Sequence, residues 1–153
     1  MNGALSGIRV VDITNNQAGP SCGQMLAWLG ADVIKVEEPI KGDPARSMLK
    51  DRPDADSLFY LSFNANKRSL TLNLKNSRAK DVFRTLLRTA DVLLENFGPG
   101  VLERLGFGYA AVKELNPRLV YASIKGFGSY GPYDPNPLML AYTSRGLSAR
   151  TSG

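Results

Sequence analysis

Residues 10–37, VVDITNNQAGPSCGQMLAWLGADVIKVE, hold two apolar runs separated by a Gly/Pro loop and a helical pattern. Ile8, Val10, Val11 and Ile13 read as a first strand, and Asp32 to Val36 as a second. Between them, Ser21 to Leu29 carries Cys22, Met25, Leu26 and Leu29 at helical spacing, with Gly30 placed to end the helix. Two strands joined by one crossover helix pair in parallel, and the helix has to cover a face of the sheet. The expected fold class is therefore α/β, a Rossmann-like parallel sheet flanked by helices.

Further units extend the pattern on the C-terminal side. Residues 38–58 hold prolines and mixed charge without periodicity, and read as a polar surface connection outside the core, with one short helix around Arg46 to Leu49. Leu70, Leu72 and Leu74 alternate as a strand. Asn76 or Ser77 can cap a helix running to about Ala90 that buries Val82, Phe83, Leu86 and Leu87. Asp91 to Glu95 reads as a strand, NFGPG as a turn, Val101 to Leu105 and Tyr109 to Leu115 as helices, and RLVYASIKGFG as a last strand. The stretch from residue 134 to 153 is expected to be irregular or frayed, although LMLAYTSRGLSARTSG could start a helix. No internal repeat or linker divides the chain.

Composition narrows the chemistry. A chain of 153 residues, 43% hydrophobic, suits one domain or a large part of a bigger one. No apolar run reaches the roughly 18 residues of a membrane span, and MNGALSGIRVV lacks the features of a signal peptide, so a cytoplasmic protein without membrane contacts is expected. The single cysteine, Cys22, excludes an intrachain disulfide framework and a CxxC metal site, and no metal is expected. With no histidine, Ser-His and Cys-His pairs and His-ligated zinc are excluded as well. Any catalysis then falls to carboxylates, Lys, Tyr or backbone dipoles. The net charge of +5 favours an anionic partner without choosing which.

Several strand ends carry residues suited to such a partner. TNNQAGPSCGQ leads from a strand end into a helix N-terminus, where N–H groups and the helix dipole favour an anion or a polarised carbonyl. The spacing Gly19-x-x-x-Gly23 is not a dinucleotide fingerprint, although Glu37 and Glu38 stand about where a ribose-binding acid would. Gly19-Pro20 serves equally well as plain punctuation. Asn73 and Lys75 lie at one strand end, Asn96 and Phe97 at another with Arg104 in the helix beyond, and Lys125 at a third. Each also has an ordinary structural reading: a solvated lysine, a packed turn aromatic. Lys80, Arg84 and Arg88 recur every four residues and read as the solvated face of their helix, opposite Val82, Phe83 and Leu87.

The order of these pieces, LSGIRVVDIT, QAGPSCGQMLAWLGADVIKVEEP, GDPAR, NANKRSLTLNLK and ADVLLENFGPGVLERLGFGYAAVKELNPRLVYASIKGFGSYGPY, resembles the N-terminal portion of the family III CoA-transferases over residues 5 to about 133. Formyl-CoA transferases and their oxalate-metabolising relatives look most similar. The resemblance implies that residues 1–153 are the N-terminal part of the large, CoA-binding domain. It also implies transfer of coenzyme A from an acyl-CoA to a free carboxylate such as oxalate. In the family an aspartate attacks the thioester and passes through an anhydride and an aspartyl-CoA thioester. Coenzyme A or acyl-CoA is then a substrate, and no tightly bound cofactor is implied.

The positions matching CoA contacts are Gln17, Ala18, Leu72, Asn73, Lys75, Asn96, Phe97 and Arg104, and Gln17 matches the residue at the reacting acyl group. Two positions depart from the family pattern. Glu38 replaces a frequent arginine, for which Lys41 or Arg46 could substitute, and DPNPLML after Tyr133 lacks the expected lysine. The matching nucleophilic aspartate falls beyond Gly153, and neither Asp134 nor Asp12 is a credible substitute. The expectation is a chain that binds CoA without transferring it, whose full-length relatives form interlocked homodimers. Two other classes fit the residues alone: a non-catalytic nucleotide-binding or regulatory module, and a basic interaction protein using Lys80, Arg84 and Arg88. The resemblance implies no nucleic-acid partner.

Overall fold

The computed structural model describes residues 3–50, 52–126 and the strand at 147–150. Strands β1 (Arg9–Asp12), β2 (Asp32–Glu37), β3 (Arg68–Thr71), β4 (Val92–Glu95), β5 (Val120–Ile124) and β6 (Leu147–Arg150) form one sheet in the order β3-β2-β1-β4-β5-β6. The first five are parallel and β6 runs antiparallel to β5. Residues 134–153 are expected from the sequence to be irregular or to start a helix. Within that range Leu147–Arg150 form a strand instead, because β5 offers an unpaired edge whose N–H and C=O groups a further strand satisfies.

β1 is buried on both faces, as a central parallel strand must be. Val11 and Ile13 join Ile34, Val36, Leu93, Phe83, Leu87, Phe107 and Val112 in the larger core. Val10 faces the other way, with Val33, Leu94, Ala27 and Ala31. Helix α3 (Ser77–Arg88) supplies Phe83 and Leu87 to the larger core, and α5 (Tyr109–Leu115) supplies Val112. Asn76 caps α3, its Oδ1 accepting from the Arg78 and Ala79 N–H groups. Val82, expected inside, is 50% exposed, while Lys80 and Arg84 are half-buried. The Arg84 guanidinium lies 5.7 Å from the Phe107 ring centre, so the basic residues flank the buried stripe rather than oppose it.

On the other face, helix α1 (Ala18–Trp28) starts three residues earlier than its apolar spacing suggests. Pro20 is tolerated there because a first-turn N–H has no intrahelical partner to lose. Gly19, Gly23 and Ala27, rather than Met25 and Leu29, face the sheet. A Cβ on Gly19 would stand 2.2 Å from Thr14 Cβ, and one on Gly23 would stand 2.5 Å from Asp12 Oδ2. Small residues bring the helix down onto the strand ends and turn Met25, Trp28 and Leu29 outward.

Residues 38–58 are less superficial than their polarity suggests. A turn of 3-10 helix at Pro44–Arg46 buries Ala45, and Asp43 and Ser57 are also buried. Ser57 then caps α2 (Leu58–Asn64), a helix without a clear periodic signature, which packs beside α1. Helix α4 (Val101–Leu105) starts after Gly100 and ends at Gly106, both with positive φ.

Candidate functional site

The strand order reverses at β1, with β2 and β3 on one side and β4 and β5 on the other. Open parallel sheets bind ligands outside the carboxyl ends of their strands at such a reversal. Here the loops leaving β1 and β4 are tied together: the Asn15 N–H donates to Asn96 Oδ1 at 2.8 Å, and Asn96 Nδ2 donates to the Asn15 carbonyl at 2.8 Å. The Asn16 N–H donates to Asp43 Oδ1 at 2.9 Å. Gln17 follows, exposed and with no side-chain hydrogen bond capping α1. Ala18 is exposed and Gly19 buried, and their first-turn N–H groups receive no side-chain cap.

The other residues suggested by the sequence divide between two loops. After β3, Leu72 is half-buried against the larger core and its N–H donates to the Glu37 carbonyl at 2.8 Å. Asn73 and Lys75 are exposed, and Asn73 Oδ1 accepts from the Lys75 N–H at 3.0 Å. After β4, Phe97 packs on the larger core and its N–H donates to Glu95 Oε2 at 2.8 Å. Arg104 is exposed, its Nη1 2.9 Å from where a Cβ on Gly100 would stand. The three loops share the carboxyl edge of the sheet. The loops after β1 and β4 touch, whereas β2 separates the β3 loop from both.

β1, β2 and β4 each end in a buried carboxylate, and each carboxylate is matched by a cation. Asp12 pairs with Lys67 at 2.8 Å, both side chains almost wholly buried. Burial pulls the Lys67 ammonium below the usual lysine range, against the opposing attraction of Asp12. Glu37 takes Arg46 through Nε at 2.9 Å and Nη2 at 2.7 Å, and accepts from the Tyr60 hydroxyl at 3.1 Å. Burial and the Glu37 charge hold that hydroxyl well above the usual phenol range, so Tyr60 donates as a neutral group. Glu95 pairs with Lys125 and accepts from Ser123. A second pair with both side chains buried, Lys35–Asp43 at 2.8 Å, sits between β2 and the 3-10 turn.

These pairs revise several readings of the sequence. Glu37 is occupied by Arg46 and is not poised for a ribose, and Arg46 is not spare to replace an arginine at position 38. Lys125 is turned onto Glu95 and the Phe97 carbonyl. Glu38 folds back on its own turn, accepting from the Ile40 and Lys41 N–H groups at 3.0 and 2.5 Å. Asp134 and the position after Tyr133 lie outside the described residues. Periodicity could not pair the ions, yet a lysine inside VIKVE and an acid ending each apolar run were visible signals, since such groups are buried only when paired. Among the described residues no cluster of His, Cys, Asp or Glu could hold a metal, and no helix is long and apolar enough to cross a membrane.

A cleft of about 500 Å³ between α3 and α5, lined by Arg84, Arg88, Phe107, Val112 and Leu115 among others, belongs to the opposite edge. There Thr89, just past α3, accepts a hydrogen bond from Arg9 at the start of β1.

The model of CoA-transferase family III matches residues 5–142. The chain belongs to this family. Formyl-CoA:oxalate CoA-transferase of Rhodopseudomonas palustris is 57% identical over 134 residues, 88% of this chain and 31% of that protein. The enzyme of the same name from Streptomyces coelicolor is 58% identical over 130 residues, 85% of this chain and 31% of its own length. Among solved structures, a CAIB/BAIF family protein from Brucella suis superposes with a TM-score of 0.82 at 38% identity, covering 89% of this chain and 37% of the other. Rv3272 from Mycobacterium tuberculosis gives 0.81 at 42% identity, covering 90% and 38%. This family III chain thus spans about a third of the length of the relatives it matches.

Proposed function

We propose that these residues form the CoA-binding part of a cytoplasmic transferase that moves coenzyme A from a formyl-CoA-like acyl-CoA to a free carboxylate such as oxalate. The whole enzyme works as an interlocked homodimer. The observation that carries this reading is the family match over residues 5–142, seated on a sheet whose carboxyl edge presents Gln17, Lys75 and Arg104 without side-chain partners among the described residues. Lys75 and Arg104 suit the phosphates and nucleotide of CoA. Gln17 and the first-turn N–H groups of α1 suit the acyl carbonyl, whose oxygen gains negative charge when a carboxylate attacks.

The attacking group is an aspartate carboxylate, already ionised at neutral pH and in need of no histidine. It bonds to the acyl carbon and expels CoA thiolate. The thiolate then attacks the aspartyl carbonyl of the resulting anhydride, releasing the original acid and leaving an aspartyl-CoA thioester. The acceptor acid reverses these two steps and departs as its CoA ester. Asp12, Glu37, Asp43 and Glu95 are each engaged by a buried or half-buried cation. On this reading none of these four is the attacking group, and the described residues supply CoA binding rather than the nucleophile.

Calorimetric titration of the chain with CoA, ATP and NAD tests the reading. CoA should bind most tightly, and an assay with formyl-CoA and oxalate should show no turnover. A preference for ATP or NAD would replace the reading with a regulatory nucleotide-binding module. Steeply salt-dependent binding to nucleic acid would favour the basic interaction protein instead.

A further inference from the structure

The loop from Thr14 to Gln17 is short, yet its backbone is held almost entirely by side chains from other elements. The Thr14 N–H donates to Asp12 Oδ1 at 2.9 Å, and the Thr14 carbonyl accepts from Lys35 Nζ. Both backbone groups of Asn15 are taken by the one amide of Asn96. The Asn16 N–H goes to Asp43, whose other oxygen holds Lys35 at 2.8 Å. Within this frame Asn16 adopts a left-handed φ of 64°, uncommon outside glycine and kept only where the surroundings determine it. The hold ends at Gln17.

We propose that Asn96, together with the Lys35–Asp43 pair, is a positioning device for this loop. It sets the backbone from which Gln17 and the Ala18 and Gly19 N–H groups project, and so lets the site tell an acyl thioester from free CoA. The proposal rests on the CoA reading above and assigns Asn96 a role through Asn15 rather than through the ligand. Only an amide does this, because Asn15 presents both a donor and an acceptor and a carboxylate could answer just one of them. Asn96 is also the member of the frame to test. It is half-buried and uncharged, whereas removing Lys35 would leave Asp43 buried without its cation.

The experiment uses the 153-residue chain, its Asn96→Ala, Asn96→Asp and Gln17→Ala variants, and the double variant Asn96→Ala/Gln17→Ala. Acetyl-CoA and free CoA are the probes. Asn96→Ala should reduce the preference for acetyl-CoA over CoA by about 10-fold, the scale of one well-placed hydrogen bond. The double variant should be no worse than Gln17→Ala alone, since groups acting as a unit are not additive. Equal weakening toward both probes, or additive effects, would make Asn96 a direct ligand contact or a general fold residue and overturn the proposal. So would a wild-type chain that binds both probes equally.

Amide exchange supplies a readout independent of any ligand. In Asn96→Ala the Asn15 amide should exchange at least about 10-fold faster with the Val10 and Leu94 amides unchanged, while Asn96→Asp should keep the Asn15 amide protected through its remaining acceptor. An Asn15 amide already unprotected in the wild-type chain would refute the frame itself. If the wild-type chain binds neither probe, the CoA reading fails, and amide exchange alone then decides whether the frame exists.

Discussion

The loops after β1 and β3 carry similar residues at the same edge of the same sheet, and they are built in opposite ways. From Thr14 to Asn16 the backbone is held by Asp12, Lys35, Asp43 and Asn96. From Leu72 to Asn76 the side-chain bonds are local: Asn73 turns back to the Lys75 N–H and Asn76 to α3. The first loop offers a fixed position, and the second offers a cation on a long, solvated stem. A reacting carbonyl needs placement within fractions of an ångström, whereas a phosphate is satisfied by charge nearby. The contrast sorts the cations of this edge into Lys35, Arg46, Lys67 and Lys125, which hold the protein together, and Lys75 and Arg104, which face outward.

Disturbing the anchored side should have the largest effect. Lys67→Met leaves Asp12 buried without a cation, and urea unfolding should show a loss of about 3–5 kcal/mol or no folded protein. A near-normal midpoint would mean that this pair is not part of the anchor. Gly19→Ala drives a methyl group against Thr14 and should cost about 1–3 kcal/mol in the same assay, lifting α1 from the loop it closes. On the solvated side, Lys75→Ala should leave the unfolding midpoint unchanged and weaken CoA binding by about 10-fold. Lost stability with unchanged binding would invert the comparison.

The smallest effect concerns Asp32 at the far edge. Burial pushes its carboxyl up, but hydrogen bonds from Arg68 and Arg9 outweigh this and hold it below the ordinary aspartate value of 3.8. The unfolded chain then takes up the proton first. The contribution to stability is present above pH 3.8 and is lost as pH falls through that value toward the lower folded one. Melting temperatures followed from pH 6 to about pH 3 should fall less in Asp32→Asn than in the wild type, and only slightly less because the group is solvent-screened.

The elements were legible wherever a pattern repeats. The apolar runs of β1, β2 and β4 and the Phe83 and Leu87 part of the α3 stripe were visible because backbone hydrogen bonding and side-chain direction depend on near neighbours. By contrast, β3 ends at Thr71, before two of its three alternating leucines, and Val82 points outward. Two readings failed for one reason. Helix α1 packs through Gly19, Gly23 and Ala27, so its buried face carries the residues that a hydrophobicity pattern ignores, and its large apolar residues point outward. The segment before α2 is polar because its polar groups are internal partners: Asp43 serves the β1 loop and Ser57 caps α2.

The sequence by itself determined the parallel α/β class, the Asn76 cap of α3, the family and the loops in which a ligand would be sought. These rest on spacing and on motifs contained in short stretches of chain. Only the tertiary structure decided which charges are tools and which are fasteners. Lys67 and Asp12 lie 55 positions apart in sequence, and Lys125 and Glu95 lie 30 apart. A lysine reads the same in sequence whether it is buried or solvated, so its role is set by whether folding brings a carboxylate within reach.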